Sequence, residues 1–335
     1  MLQSDYVFLR DEMGLIIMTT TKKGNGSAKA WFAPGTLSSR ILKHWQIYLI
    51  LLPGLLWYTV FAYIPMYGLT LAFRTYRADL GIWGSPWVGL ANYEFVFRDP
   101  QFFRAVRNTF EISIQRLIFQ FPVPIIIALL LNEVNRSGYK RFLQTIFTFP
   151  NFLSWVIVAS ITLNLLGSAG YVNSALIALG AEPVNFLGNS NLFRPMLYIT
   201  ENWRSAGWGA IIYMAAISGI DMEQYESATV DGASRFQKMI YITLPGIKAT
   251  IVVLFILAVG GIMNGGFDQI FNLGNPAVRD VSDILDTYIY RITFQAAADF
   301  SFSTAIALFR SVVNFMFLIV CDRLARIVGE HGLFG

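Results

Sequence analysis

Two kinds of polar residue in this sequence could do chemistry. The first stand inside otherwise apolar runs: Glu111 and Arg116, Glu201 and Arg204, Asp268, and Arg310. Ionisable groups are costly within a bilayer, and those that persist either form ion or proton relays or neutralise one another. Acids and bases are balanced here and several lie near the ends of their runs, so pairing within a helical bundle is the favoured reading. A relay would instead indicate a gradient-driven secondary transporter of a small polar solute, which stands as the alternative. The second kind is concentrated in residues 223–246, EQYESATVDGASRFQKMIYITLPG, a compact polar element between two long apolar runs.

Several chemistries are missing. No G-x-x-x-x-G-K-[ST] occurs, so the chain holds no P-loop for a nucleotide. The two histidines, His44 and His331, lie near opposite ends and form no metal-ligand cluster. No Ser, Asp and His arrangement suggests a hydrolase, so no catalytic residue is assigned and no enzyme is expected. The single cysteine, Cys321, excludes an intramolecular disulfide and sits in an apolar run, where a packed or lipid-facing thiol is expected. No basic helix with interleaved aromatics accompanies the net charge of +4, so nucleic acid is not an expected partner.

The elements that must position these groups follow from composition. Of the 335 residues, 55% are hydrophobic and only 14% charged, and the mean hydropathy is +0.52. Apolar runs of roughly 20 residues or more indicate a polytopic membrane protein, whose lipid is a partner in its own right. Six spans are read, at about 46–73, 107–131, 142–167, 196–219, 249–271 and 304–325. Pro53 and Pro65 are expected to kink or end the regular helix of the first. Lys and Arg orient the bundle. Arg10, Lys22, Lys23, Lys29, Arg40 and Lys43 precede the first span, Arg136, Lys140 and Arg141 follow the second, and Arg235, Lys238 and Lys248 lie between the fourth and fifth. With Arg323 and Arg326 in the tail, that side carries about twice the positive charge of the other, which places both termini in the cytosol.

The expected architecture is therefore an all-α membrane protein. Residues 1–45 form a cytosolic N-terminal tail of disordered character, 46–325 the six-span domain, and 326–335 a cytosolic C-terminal tail. Met18 is an alternative start. On the outer side, residues 86–104 read as an amphipathic interfacial segment and 170–195 and 280–300 as short helices. The longest outer loop, about 30 residues, is too short for a substrate-binding domain.

The polar element, spanning the loop 221–247, reads as helix, tight turn, helix. Asp231-Gly232 is the turn signal. Tyr225, Ala228 and Thr229 share a face before it, and Phe236, Met239, Ile240 and Thr243 form a stripe after it. Pro245 limits the second helix, with Gly246 following. An interfacial hairpin that merely closes the bundle would share this pattern.

The run E-S-A-T-V-D-G-A…F…I-T-L-P, comprising Glu226, Ser227, Ala228, Asp231, Gly232, Ala233, Phe236, Ile242, Leu244 and Pro245, resembles the EAA motif. That motif marks permease subunits of binding-protein-dependent ABC importers. Ser227 stands where alanine is usual, a mild departure. GLANYEFVFRDPQFFRAVRNTF, DTYIYRITF and FSFSTAIALFRSVVNF extend the resemblance over most of the chain after about residue 46, toward the maltose-type carbohydrate permeases. WRSAGWGAIIYMAAISGID and DRLAR resemble the branch importing oligosaccharides released from polysaccharides, to which alginate importers belong.

The resemblance implies a type I ABC importer permease fold in a bacterial cytoplasmic (inner) membrane. It implies a second homologous permease subunit, two ATPase subunits that bind ATP and Mg, and an extracytoplasmic solute-binding protein that delivers a carbohydrate. The chain itself would hold no cofactor and no metal. Glu226, Ser227, Ala228, Asp231, Gly232, Ala233, Phe236, Leu244 and Pro245 would couple it to an ATPase. A carbohydrate path needs hydrogen-bonding groups and aromatic faces, and Asn164, Trp203, Arg204, Trp208, Asn264, Asp268, Gln269 and Asn314 are its candidates. The tryptophans equally suit interfacial anchoring, and the asparagines interhelical hydrogen bonding. For a uronide cargo, Arg104, Arg204 and Arg310 would meet carboxylates. Gly260, Gly261, Gly265 and Gly266 make the fifth span pliable or closely packed.

Overall fold

The computed structural model describes residues 9–10, 16–17, 43–295 and 299–327. Most of the tail expected over 1–45, and all of 328–335, lie outside these residues. The chain divides into two units, Met1–Tyr67 and Gly68–Gly335. In the first, Leu9–Arg10 pairs antiparallel with Ile16–Ile17. Helix α1, Trp45–Tyr58, runs through Pro53 without ending. It widens to a π-turn at Thr59–Tyr63, and the following stretch, Ile64–Phe73, is 3-10. The π-turn immediately precedes Pro65, whose missing N–H and ring disfavour a regular α-helical ladder.

The second unit is helical throughout its described residues apart from turns and one isolated bridge between Arg74 and Trp87. Helix α2, Pro100–Phe119, starts on Asp99, whose carboxylate accepts from the Gln101 amide, with Pro100 in the first turn where no partner for its nitrogen is needed. After a break at Gln120–Phe121, α3 covers Pro122–Asn132. Helix α4, Ser137–Thr148, ends in a 3-10 turn around Pro150, and α5, Trp155–Leu166, restarts on a Ser154 cap. The apolar run expected at 142–167 is thus two helices, because Pro150 cannot continue the ladder.

Helix α6, Ser190–Ser218, has 29 residues and is the central packing element. At 1.5 Å per residue it is about 44 Å long. Two short helices follow, α7 at Met222–Val230 and α8 at Arg235–Lys238. The latter passes through a π-turn, Met239–Thr243, to Gly246. Helix α9, Lys248–Gly260, then leaves at a 60° bend. The run expected at 249–271 is also interrupted, since Gly261–Gly266 is not helical before α10, Phe267–Leu273. Helices α11, Leu285–Tyr290, and α12, Phe300–Ile327, complete the unit.

Ala128 of α3 packs with Ala210, Tyr213 and Ile217 of α6 and with Ile247. Ile256 of α9 packs with Cys321 and Ala325 of α12, so the thiol is buried in a helix interface. Phe102 and Ala105 of α2 meet Leu285, Tyr288, Ala305 and Ile306. Among the described residues, the runs Trp45–Phe73, Pro100–Asn132, Trp155–Ala178 and Phe300–Arg326 are long and apolar enough to cross a membrane. Taken as one broken span, the bent pair Arg235–Gly246 and Lys248–Gly260 would make a fifth. Helix α6 has the length for a sixth but carries Arg194, Glu201 and Arg204.

Candidate functional site

The polar element between α6 and α9 is a hairpin closed by its own sequence. Asp221 caps α7 through the Glu223 amide. At its other end Gly232 adopts φ +78°, a left-handed conformation that only glycine takes without strain. The Gly232 amide donates to Thr229 O at 3.1 Å and the Ala233 amide to Ala228 O at 2.9 Å. This is a Schellman closure, in which the last free carbonyls of the helix are satisfied. Two residues on, Ser234 and Gln237 form a reciprocal capping box that starts α8.

The arms are tied side by side. Tyr225 Oη lies 2.9 Å from the buried Thr243 Oγ1, and Lys238 Nζ donates to Thr229 Oγ1 at 3.1 Å. The hairpin presents Val230 (89% exposed), Phe236 (64%) and Tyr241 (75%). Around them Glu226, Ser227, Asp231, Gly232, Leu244 and Pro245 are exposed, while Ala228 and Ala233 are half-buried. Pro245 sits within the second arm's last turn, and the chain bends at Ile247. A short rigid body with a mixed apolar and charged face, joined directly to α9, is therefore built at this corner.

The candidate path residues separate into groups. Asn264 and Asn314 face each other across the α9–α10 break. The Asn314 amide donates to Asn264 Oδ1 at 3.2 Å, and its oxygen accepts from the Met263 amide at 2.9 Å. Interhelical bonding is thus the geometry observed, and it supplies a partner to a backbone group freed by the break. Gln269, expected on the path, is 1% exposed. Its amide nitrogen donates to Leu197 O at 2.7 Å and Thr200 Oγ1 at 2.8 Å, and its oxygen accepts from Arg116. Asp268 is exposed in the first turn of α10.

Arg204 donates to Leu153 O at 3.1 Å and its guanidinium lies 5.0 Å from the centre of the Trp155 ring. Trp208 packs edge-on against Phe152 at 5.8 Å. Trp203 is about half exposed, and the exposed Asn164 donates to Ser160 O one turn back. Of the arginines considered for a uronide, Arg104 pairs with Asp280 at 2.6 Å and Arg310 pairs with Asp286.

Sequence reading did not find the polar strap across the first half of α2. Arg194 is bonded to Glu111 (2.5 Å), Asn108 Oδ1 (2.9 Å) and Val281 O (3.0 Å). Arg107 holds the other Glu111 oxygen at 2.6 Å. Asn108 donates to Asp280 O and Asp283 O, and Thr109 Oγ1 accepts from the Leu285 amide. Tyr288 donates to Asp99, and burial together with this bond pushes its phenol above the ordinary value. Arg194 lies in a stretch that reads as an outer loop. No signal in that stretch singles it out. Glu111 and Arg310, possible relay groups in the sequence, are both paired.

The chain belongs to the family of binding-protein-dependent transport system inner membrane components, whose model matches residues 120–329. Protein LplB of Bacillus subtilis (strain 168) is 43% identical over 289 residues, 86% of this chain and 91% of that protein. The polygalacturonan/rhamnogalacturonan transport system permease protein YteP of the same organism is 42% identical over 296 residues, covering 88% and 92%. Among solved structures, a bacterial alginate ABC transporter in complex with an alginate pentasaccharide-bound periplasmic protein contains a similar chain. It is 37% identical, with TM-score 0.81, over 89% of this chain and 99% of that one. The protein described here is accordingly an ABC permease, a multi-pass transport subunit and not an enzyme.

Proposed function

We propose that this chain is one of two permease subunits through which an ATP-driven importer moves an oligosaccharide across the bacterial cytoplasmic membrane. The observation that carries the reading is the hairpin, a rigid, exposed two-arm body bonded within itself and continuous with α9. In this reading α6 is also a span, the fourth of six in chain order, and both termini are cytosolic. The hairpin docks in a groove of an ATPase subunit, with Val230, Phe236 and Tyr241 buried there and Glu226 meeting a basic group. ATP and Mg reside on two such ATPases, and their closure moves the hairpin and α9 as one lever. An external solute-binding protein delivers the cargo to the opposite side. The names of the relatives, which handle polygalacturonan, rhamnogalacturonan and alginate, favour a saccharide cut from an acidic polysaccharide.

A secondary transporter would leave the hairpin without a use, and Glu111 and Arg310 are already neutralised by internal partners. The test is to purify the tagged chain gently from its native membrane and identify by mass spectrometry what accompanies it. An ATPase and a second, homologous permease in comparable amounts are expected. A chain recovered alone or as a homodimer under several mild detergents would overturn the reading.

A further inference from the structure

Arg116, an ionisable residue of the apolar runs, has surroundings that call for something outside the chain. It is the middle residue of the Pro100–Asn132 helical run. Glu111, Arg194 and Arg310 have ion-pair partners, whereas among the described residues Arg116 makes no direct ion pair and Glu201 of α6 acts on it only through space. Its guanidinium makes one bond, to Gln269, and the buried Nε has no partner. Gln120, one turn further on, also has its buried amide nitrogen unpartnered. Donors buried at such depth without partners are costly, and are kept where a ligand satisfies them.

Space for that ligand is present. A cavity of about 280 Å³ is lined by Ser113, Arg116, Gln120 and Phe121 on one side and by Gly261 and Asn264 on the other. It therefore opens where the break between α2 and α3 faces the break between α9 and α10. Non-helical backbone within a membrane is tolerated where it lines such a cavity, and broken helices are where transporters bind cargo. The arginine is also held ready. Gly266, at φ +84°, leaves empty the position where a Cβ would collide with the guanidinium, so the arginine lies against the bare backbone of the break. Gln269, itself fixed by Leu197 O and Thr200, orients it from behind.

We propose that Arg116, flanked by Gln120 and Ser113, forms a carboxylate-binding position in the cavity between the two helix breaks, so that uronate groups of an acidic oligosaccharide are met there during passage. The inference rests on the importer reading above. Arginine suits the task because its planar fork of donors matches a carboxylate in a way lysine does not.

The test uses the transporter purified with its partner chains and reconstituted with ATP inside and its binding protein outside. The probes are short oligogalacturonates and oligomannuronates, their methyl esters, which keep the shape without the charge, and neutral galacto-oligosaccharides. In Arg116→Gln, uptake of an acidic probe is expected to fall about tenfold or more, while any ester or neutral probe that is carried changes little. Arg116→Lys should keep part of the acidic uptake. Ser113→Cys gives a readout free of turnover: its labelling by a thiol reagent should be slowed by the acidic probe, and no longer slowed once Arg116→Gln is added.

Equal loss for charged and neutral cargo, or loss of the second permease chain from Arg116→Gln, would overturn the inference by assigning the arginine to structure or to a partner's acid. ATP-driven uptake of neutral saccharides alone by the unaltered transporter would also overturn it, while leaving the importer reading standing. Absence of uptake of every saccharide would remove both.

Discussion

The hairpin at Met222–Gly246 and the break at Gly261–Gly266 both interrupt helical structure within forty residues of each other, yet they are closed by opposite means. The hairpin is closed locally. Its caps, its Schellman turn and the ties from Tyr225 to Thr243 and Lys238 to Thr229 join residues close in sequence. The break is closed from afar, by Asn314 of α12 on one side and by the cluster of Arg116, Leu197 and Thr200 around Gln269 on the other. A part built from local bonds can move as a unit without losing its shape. A part held by three different helices changes whenever those helices shift, which suits a position that cargo must enter and leave. Variants of each should therefore fail differently.

The largest stability effect is expected at the break. Asn314→Leu leaves the Met263 amide and the Asn264 side-chain oxygen without their partner, at a cost of about 1–3 kcal/mol. Thermal unfolding in detergent should show it as a lowered Tm with the hairpin's docking intact. An unchanged Tm would mean that water or lipid replaces the asparagine, and would weaken the contrast. Next comes Gly232→Val. Open space surrounds the site, so the penalty is conformational, about 1–2 kcal/mol for an L side chain in the left-handed region. Uptake should fall while ATP hydrolysis continues and the spans stay inserted. Gly232→Asn should be milder, because asparagine visits that region more readily. Equal damage from Val and Asn would argue that the surface of the turn matters rather than its backbone.

Tyr225→Phe removes one tie between the arms and should cost about 0.5–1.5 kcal/mol. Its signature is a lower ratio of sugar moved to ATP hydrolysed, with little change in Tm. Smallest of all is Asp280→Asn. The Arg104–Asp280 pair is exposed on both sides and should contribute only about 0–1 kcal/mol, falling with added salt. A larger loss of uptake with this variant would give the outer pair a role in receiving the binding protein.

The hairpin was legible in the sequence because every signal in it acts over a few residues. Asp231-Gly232 marks the turn, the apolar stripe of the second arm has helical period, and Pro245 limits that arm, while the Ser234–Gln237 capping box was found only in the structure. The apolar runs were legible for the same reason, since about 20 consecutive apolar residues suffice to announce a helix in lipid. Their interruptions were legible only in part. Pro150 ends α4 as its chemistry requires, but Pro53 is carried inside a helix. The four glycines of 260–266 announce pliability without saying that the helix stops.

What the sequence determined alone was the class of the protein, the place and shape of its hairpin, and the lack of a nucleotide loop in the chain. These depend on composition, on motif and on bonds between near neighbours. Only the tertiary structure decided which polar groups inside the apolar runs are satisfied. Asn264 and Asn314, fifty residues apart, answer each other, Glu111 is held between Arg107 and Arg194, and Arg116 is left facing a cavity with donors to spare. Hydrogen bonds and ion pairs act over a few ångströms. Whether a charge inside the membrane is neutralised therefore depends on which helices fold against it, and that is not written in the spacing of residues along any one of them.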